Sequence, residues 1–300
     1  MTRIRIRAHA KINLHLGILG LRPDGYHEVE TVLQTLDLHD TLTCERYDGP
    51  FALRCDRPGL PVDATNLVWR AAVMLVQEAG RPALAEQGTR ITIEKRIPLQ
   101  AGLGGGSSDA AATLWALTKL WQLDLDGVAL RRLGSKLGAD VPFFVDGGTA
   151  LGTGRGDEIR PLPDVPALAV LVVMPPFGVP TADAYRWVDD AAAGGAPTPR
   201  IGTWPTETAQ WPQWAGRCRN DFEPVIAFRH PEVGEAIATL KTAGAALAAL
   251  SGSGAALFGV FAREVEARAA AAIAWKRAGW RTFLTRTLSG GDASNNRVAE

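Results

Sequence analysis

Residues 99–111 read LQAGLGGGSSDAA, four glycines ahead of two serines, an aspartate and a pair of alanines. Backbone N–H groups of such a turn can converge, and the start of a following helix adds partial positive charge, so the stretch suits a phosphate without any cationic side chain. Ser107 and Ser108 could donate to phosphate oxygens or hold a water on Mg²⁺. The two common phosphate motifs both fail here. The Lys-Ser/Thr pair of a Walker A loop is missing, and Ser107 stands where a dinucleotide G-x-G-x-x-G needs its third glycine. A second small-residue turn, Ser251-Gly252-Ser253-Gly254, and the pair Tyr26-His27 after an Asp24-Gly25 turn are weaker signals. Read alone, they are an ordinary turn and an aromatic packed over a hairpin.

A loop of this kind needs elements that hold both its ends. Residues 89–97, TRITIEKRI, alternate as a strand that Pro98 ends, and residues 110–123 carry Leu114, Leu117, Leu120 and Trp121 at helical spacing. The order is therefore strand, glycine loop, helix. From Ile4 to Leu16 the even positions are apolar and the odd ones polar, which predicts a strand with one buried face and puts Lys11 and Asn13 on the polar face. Residues 28–38 predict a second strand. Thr65-Asn66 and Gly80 bracket a helix, and a further helix over 128–137 stops at Gly138, just before Asp140. Strand signals return at Thr149 and over 167–174. The tail then reads helix 231–243, the Ser-Gly turn, a strand to Phe261, helix 264–278 and strand 281–288, a small α+β layer. A domain boundary is expected near Arg160, dividing 1–160 from 161–300. Within the second, residues 191–216 are rich in Gly, Pro, Thr and Trp and predict a surface excursion or a lid of short helices, with Trp204, Trp211 and Trp214 packing. Residues 290–300 are expected to be disordered.

Composition narrows the partners. Lys+Arg 32 against Asp+Glu 32 leaves no net charge, so neither a nucleic-acid surface nor an acidic membrane is indicated. Residues 243–262 are nearly uncharged and of bilayer length, but Ser251 to Gly254 would break a helix there, so the segment is read as helix tail, turn and buried strand. Cys44, Cys55 and Cys218 are odd in number and lack metal spacing; they are read as free thiols in a reducing, cytoplasmic setting.

PLQAGLGGGSSDAA resembles the nucleotide loop of the GHMP kinases. AHAKINLHLGILGLRPDGYHEVETV, LGADVPFFVDGGTALGTGRGDEI and LSGSGAALFG resemble further stretches of that superfamily in the same order. The first of these is similar to the branch whose substrate is a cytidine-diphospho sugar alcohol in isoprenoid precursor biosynthesis. The resemblance implies a two-domain α+β fold with a left-handed βαβ substructure in the first domain. It implies ATP at Pro98, Gly102, Leu103, Gly104, Gly105, Gly106, Ser107 and Ser108, with Mg²⁺ and no assigned protein ligand for the metal. Pattern alone makes Lys11 a solvated charge and Asp140 a helix cap; the resemblance instead makes Asp140 the base for a substrate hydroxyl and Lys11 the group that lowers its pKa and steadies developing charge. By the same likeness Asn13, Tyr26, His27, Tyr185, Ser251 and Gly252 bind substrate, with Tyr26 and Tyr185 covering the two faces of the base and His27 bonding its edge. A small-molecule substrate and a monomer or homodimer are implied. Two other readings fit the residues: a GHMP kinase for a different alcohol, and a non-catalytic nucleotide-binding module.

Overall fold

A computed structural model describes residues 2–192, 200–202, 204, 211–274 and 279–295. In its first half run strands β1 (Arg3–Leu21), β2 (His27–Arg46) and β3 (Ala52–Cys55), helix α1 (Leu67–Glu78), β4 (Thr89–Glu94), helices α2 (Gly105–Leu120), α3 (Gly127–Leu137) and α4 (Val141–Asp146), then β5 (Thr149–Thr153) and β6 (Glu158–Pro161). The second half holds β7 (Ala169–Met174), α5 (Thr181–Ala192), α6 (Trp211–Ala215), α7 (Glu223–Arg229), α8 (Pro231–Thr242), β8 (Leu247–Leu250), β9 (Leu257–Phe261), α9 (Glu264–Ala274), β10 (Arg281–Arg286) and α10 (Gly290–Asn295).

β2 is the spine of a six-stranded sheet. β1 pairs antiparallel along its whole length, β4 takes the other edge over Thr41–Arg46, and β5 that edge over Thr31–Gln34. β3 joins β4 in parallel with α1 between them, a βαβ unit, and β6 extends β5. The second sheet, in the order β10-β7-β9-β8, is antiparallel throughout. Among the described residues no helix is long and apolar enough to cross a membrane. Residues 243–262 form a helix end, β8, a turn and β9, as the glycines at their centre require.

Strand β1 departs from the expected single buried face. Ile4, Ile6 and Ala8 lie in the core beneath α1 and α2, whereas Ala10, Ile12 and Leu14 lie in a core shared with the second sheet. Between the two sets the register against β2 slips at His9/Lys11, where two residues of β1 face four of β2, so the even positions keep their face while the core beneath them changes. Arg3 and Arg5 stay exposed while His9, Lys11, Asn13 and His15 are buried. The polar face of β1 has become an internal wall.

Other expectations shift at element ends. β2 runs on to Arg46, and β4 stops at Glu94, short of Ile97. The helix expected from Ala110 begins at Gly105, because Ser108 N–H already donates to the Gly104 carbonyl; glycine's weak helix propensity hid this turn, and tertiary packing imposed it. The tail expected to be disordered forms α10 over 290–295, where Ser289 Oγ accepts from Asp292 N–H at 3.0 Å and Ala293 is buried. Residues 296–300 lie outside the described residues, as do 275–278 of the expected last long helix. So does much of the Trp-rich excursion, but Trp204, Trp211 and Trp214 are buried in the core between the sheets, with the Trp204 and Trp214 ring centroids 3.9 Å apart.

Candidate active site

The glycine loop is fastened at both ends. Lys95 Nζ, just after β4, lies 2.5 Å from Asp40 Oδ2 on β2 and 2.5 Å from Asp109 Oδ2 on α2, and all three side chains are buried. Asp40 Oδ1 also accepts from the N–H groups of Arg96 and Ile97 at 2.6 and 2.8 Å. Burial pushes the Asp109 carboxyl up to about 8 against the pull of Lys95, and its Oδ1 has no hydrogen-bond partner among the described residues. This triad was not picked out from the sequence. Its members are ordinary charges on separate elements until the fold assembles them.

Between those anchors Gly102 and Gly104 take left-handed φ values of +74° and +69°. At Gly102 a Cβ would stand 2.0 Å from the Ser251 carbonyl oxygen, so this position must be glycine for the Ser-Gly turn to close onto the loop. Ser251 Oγ donates to the Gly102 carbonyl at 2.9 Å, and Asn220 Nδ2 holds the carbonyls of Leu250 and Gly252 at 2.8 Å each. Gly104 sits at the N-cap of α2 and supplies no side-chain cap. The N–H groups of Gly105, Gly106 and Ser107 therefore precede the first intrahelical bond, an anion site of the kind long helices offer at their starts.

The loop also reaches β1, since Lys11 N–H donates to the Leu103 carbonyl at 3.0 Å. The Lys11 ammonium is buried, donates to Asn13 Oδ1 at 2.7 Å and lies 3.4 Å from Asp140 Oδ2. Asn13 is oriented in turn, because its Nδ2 donates to Thr31 Oγ1 at 2.8 Å and that hydroxyl donates to the His15 carbonyl. Asp140 occupies the N-cap position of α4 but makes no side-chain capping bond, which leaves its carboxylate for the cleft.

These groups line an open cleft of about 540 Å³ where the two halves meet. Of the residues marked out by sequence, Lys11, Asn13, Tyr26, Gly102, Ser107, Asp140, Tyr185 and Gly252 border it. Pro98, Leu103 and Ser251 are buried off the cleft, and Ser251 acts as a clamp between loops. Ser108 is buried beside a separate cavity of about 20 Å³. Tyr185 stacks on the His27 ring at 4.5 Å and 19°, while the Tyr26 ring lies under the Arg155 guanidinium at 5.1 Å. Burial, helped by the Asp140 charge, pushes the Tyr185 hydroxyl up to about 12. Lys136, Arg155 and Thr181 also line the cleft and are not singled out by the sequence, and Ser253 lines it from the Ser-Gly turn. Arg155 alone had a signal, a cation between two glycines in TGRGDE.

A six-stranded and a four-stranded sheet, a fastened glycine loop at an uncapped helix start and an ammonium–carboxylate pair in the cleft between them define a small-molecule kinase of the GHMP type. The models of the GHMP kinases N terminal domain and the GHMP kinases C terminal match residues 66–148 and 211–279. A 4-diphosphocytidyl-2-C-methyl-D-erythritol kinase from Citrifermentans bemidjiense is 41% identical over 289 residues, covering 96% of this chain and 100% of that protein. One from Gloeobacter violaceus is 40% identical, covering 97% and 96%. A crystal structure of 4-(cytidine 5'-diphospho)-2C-methyl-D-erythritol kinase superposes with a TM-score of 0.75 at 34% identity, over 94% of this chain and 98% of that one. Homoserine kinase from Cytophaga hutchinsonii shares the fold, with a TM-score of 0.71 at 19% identity. The chain belongs to the 4-diphosphocytidyl-2-C-methyl-D-erythritol kinase family of the GHMP kinases.

Proposed function

We propose that the chain transfers the γ-phosphoryl group of ATP to the 2-hydroxyl of 4-diphosphocytidyl-2-C-methyl-D-erythritol. The observation that carries this reading is the buried Lys11 ammonium 3.4 Å from Asp140, on a strand whose Lys11 N–H is bonded to the glycine loop. A triphosphate gripped by the N–H groups at the start of α2 would present its terminal phosphorus toward that pair. Phosphoryl transfer depends mainly on such positioning and on neutralising charge. The substrate oxygen bonds to phosphorus as the bond to ADP breaks, Asp140 takes the hydroxyl proton, and Lys11 steadies charge on the transferring group. Asn13, fixed by Lys11 and Thr31, holds the ammonium in place.

The oxygen donors bordering the cleft suit a hard cation: the Ser107 hydroxyl at the start of α2 and the Asp140 carboxylate. Mg²⁺ bound there with ATP would supply further neutralisation of the phosphate oxygens. Residues 1–160 carry Lys11, the loop and Asp140, and 161–300 carry Tyr185 and the Ser-Gly turn, so we assign nucleotide and catalytic groups to the first part and a substrate wall to the second. One copy of the chain furnishes every group named, so a monomer suffices for the chemistry. Three free cysteines fit a cytoplasmic setting.

A coupled ADP-release assay with the cytidylyl substrate tests the reading. Substrate-dependent ADP release is expected. ATP binding without turnover of this alcohol would point to a non-catalytic module, and turnover of an alcohol lacking a base would point to another GHMP kinase.

A further inference from the structure

Helix α5 grips one imidazole with two side chains. Tyr185 lies flat on the His27 ring, and Asp189, four residues on and so on the same helical face, meets the ring edge with His27 Nε2 2.7 Å from Asp189 Oδ1. The His27 side chain is only 10% exposed although it follows a surface turn, and its two partners come from the other half of the molecule. The Tyr185 ring is itself braced edge-on by Phe222 at 4.9 Å. His27 follows Tyr26 in the chain, and both Tyr26 and the ring stacked on His27, that of Tyr185, border the cleft.

We propose that Asp189 is a positioning residue that sets base specificity by fixing the tautomer of His27. This rests on the substrate reading above. A carboxylate can only accept, so Nε2 carries the hydrogen, and in the neutral ring Nδ1 is left as an acceptor. An acceptor at the base edge matches the exocyclic amino group of cytosine. Uracil presents a carbonyl oxygen at that position, and two facing lone pairs leave both groups unpaired. Stacking against Tyr26 or Tyr185 would serve either base, so the ring edge decides between them. The sequence offered only an Asp four residues after a Tyr, one of many such spacings.

Asp189→Asn keeps the size of the side chain but lets its amide donate to Nε2, so that Nδ1 can carry the hydrogen instead. In the full-length protein it is expected to raise KM for the cytidylyl substrate and Kd for cytidine diphosphate by up to roughly tenfold, the scale of one hydrogen bond between neutral groups. The Kd for uridine diphosphate should hold or fall, kcat should stay within about twofold, KM for ATP should not move, and Asp189→Glu should recover part of the preference. An unchanged ratio of cytidine to uridine diphosphate affinity in Asp189→Asn would overturn the proposal. So would ¹⁵N spectra of the wild-type imidazoles, assigned with His27→Asn, that place the His27 hydrogen on Nδ1. The spectra need no turnover and no variant of Asp189. A wild-type chain inactive on the cytidylyl substrate would sink the function while leaving the tautomer to be read.

Discussion

Lys11 Nζ stands 3.4 Å from Asp140 Oδ2, a buried ammonium meeting a carboxylate whose side chain is 36% open to the cleft. Strand β1 delivers the first after its register slip, and the junction of α3 and α4 delivers the second. Because Asp140 spends nothing on capping α4, the pair can be altered without undoing a helix. Asp140→Asn is expected to keep ATP binding and melting temperature and to lower kcat by roughly a hundredfold or more, the usual scale for a lost general base. Steady-state ADP release beside ATP calorimetry checks it, and a near-normal kcat would remove Asp140 from the mechanism.

Two glycines of the loop should answer differently to alanine. Gly102→Ala drives a Cβ into the Ser251 carbonyl at a left-handed φ and is expected to destabilise by about 3 kcal/mol. At Gly106 the nearest atom to a Cβ is Leu67 Cδ1 at 3.7 Å, an ordinary contact inside a helix. Gly106→Ala should therefore hold or raise the melting temperature, because alanine favours helix, while raising KM for ATP if the helix start grips the triphosphate. Urea melts and ATP titrations separate the two effects.

The buried triad predicts an asymmetric pair of variants. Lys95→Met leaves Asp40 and Asp109 facing each other without a cation and should cost about 3–5 kcal/mol. Adding Asp109→Asn removes the less well bonded carboxylate and should restore part of that loss. Denaturant unfolding of the single and double variants measures the recovery, and equal stability of the two would show that Asp109 carries no charge once Lys95 is gone.

His15 sets a pH dependence whose sign follows from its burial. Burial first, and then the charge of Arg219, hold this imidazole at about 4, below its ordinary 6.5. Between those values the unfolded chain binds a proton that the native chain does not, so stability is complete above about 6.5 and falls as pH drops toward 4. The loss from this group amounts to roughly 3 kcal/mol. Its Nδ1 accepts from Arg219 N–H at 3.3 Å, so protonation also severs a tie between β1 and the second half. His15→Gln should flatten the curve of stability against pH in that window, as thermal melts from pH 4 to 7 would show.

Local pattern was enough to announce strand, glycine loop and helix, the α+β class and the two turns that meet in the cleft, because alternation, helical spacing and glycine runs are written in neighbouring residues. The same pattern placed Lys11 and Asn13 side by side on β1, where they are hydrogen-bonded. It could not tell that this polar face would be buried. Segments distant along the chain decide that, the glycine loop bonding to β1 at Lys11 and residues 219–221 at Leu16. Nor did spacing foretell that Ser251 would clamp Gly102, that Lys95 would join Asp40 to Asp109, or that Asp189 would meet His27. Packing of α2 against β2 and the end of β4 assembles the first-half triad, and the meeting of the two halves brings Ser251 to Gly102 and Asp189 to His27; neither is written in local spacing.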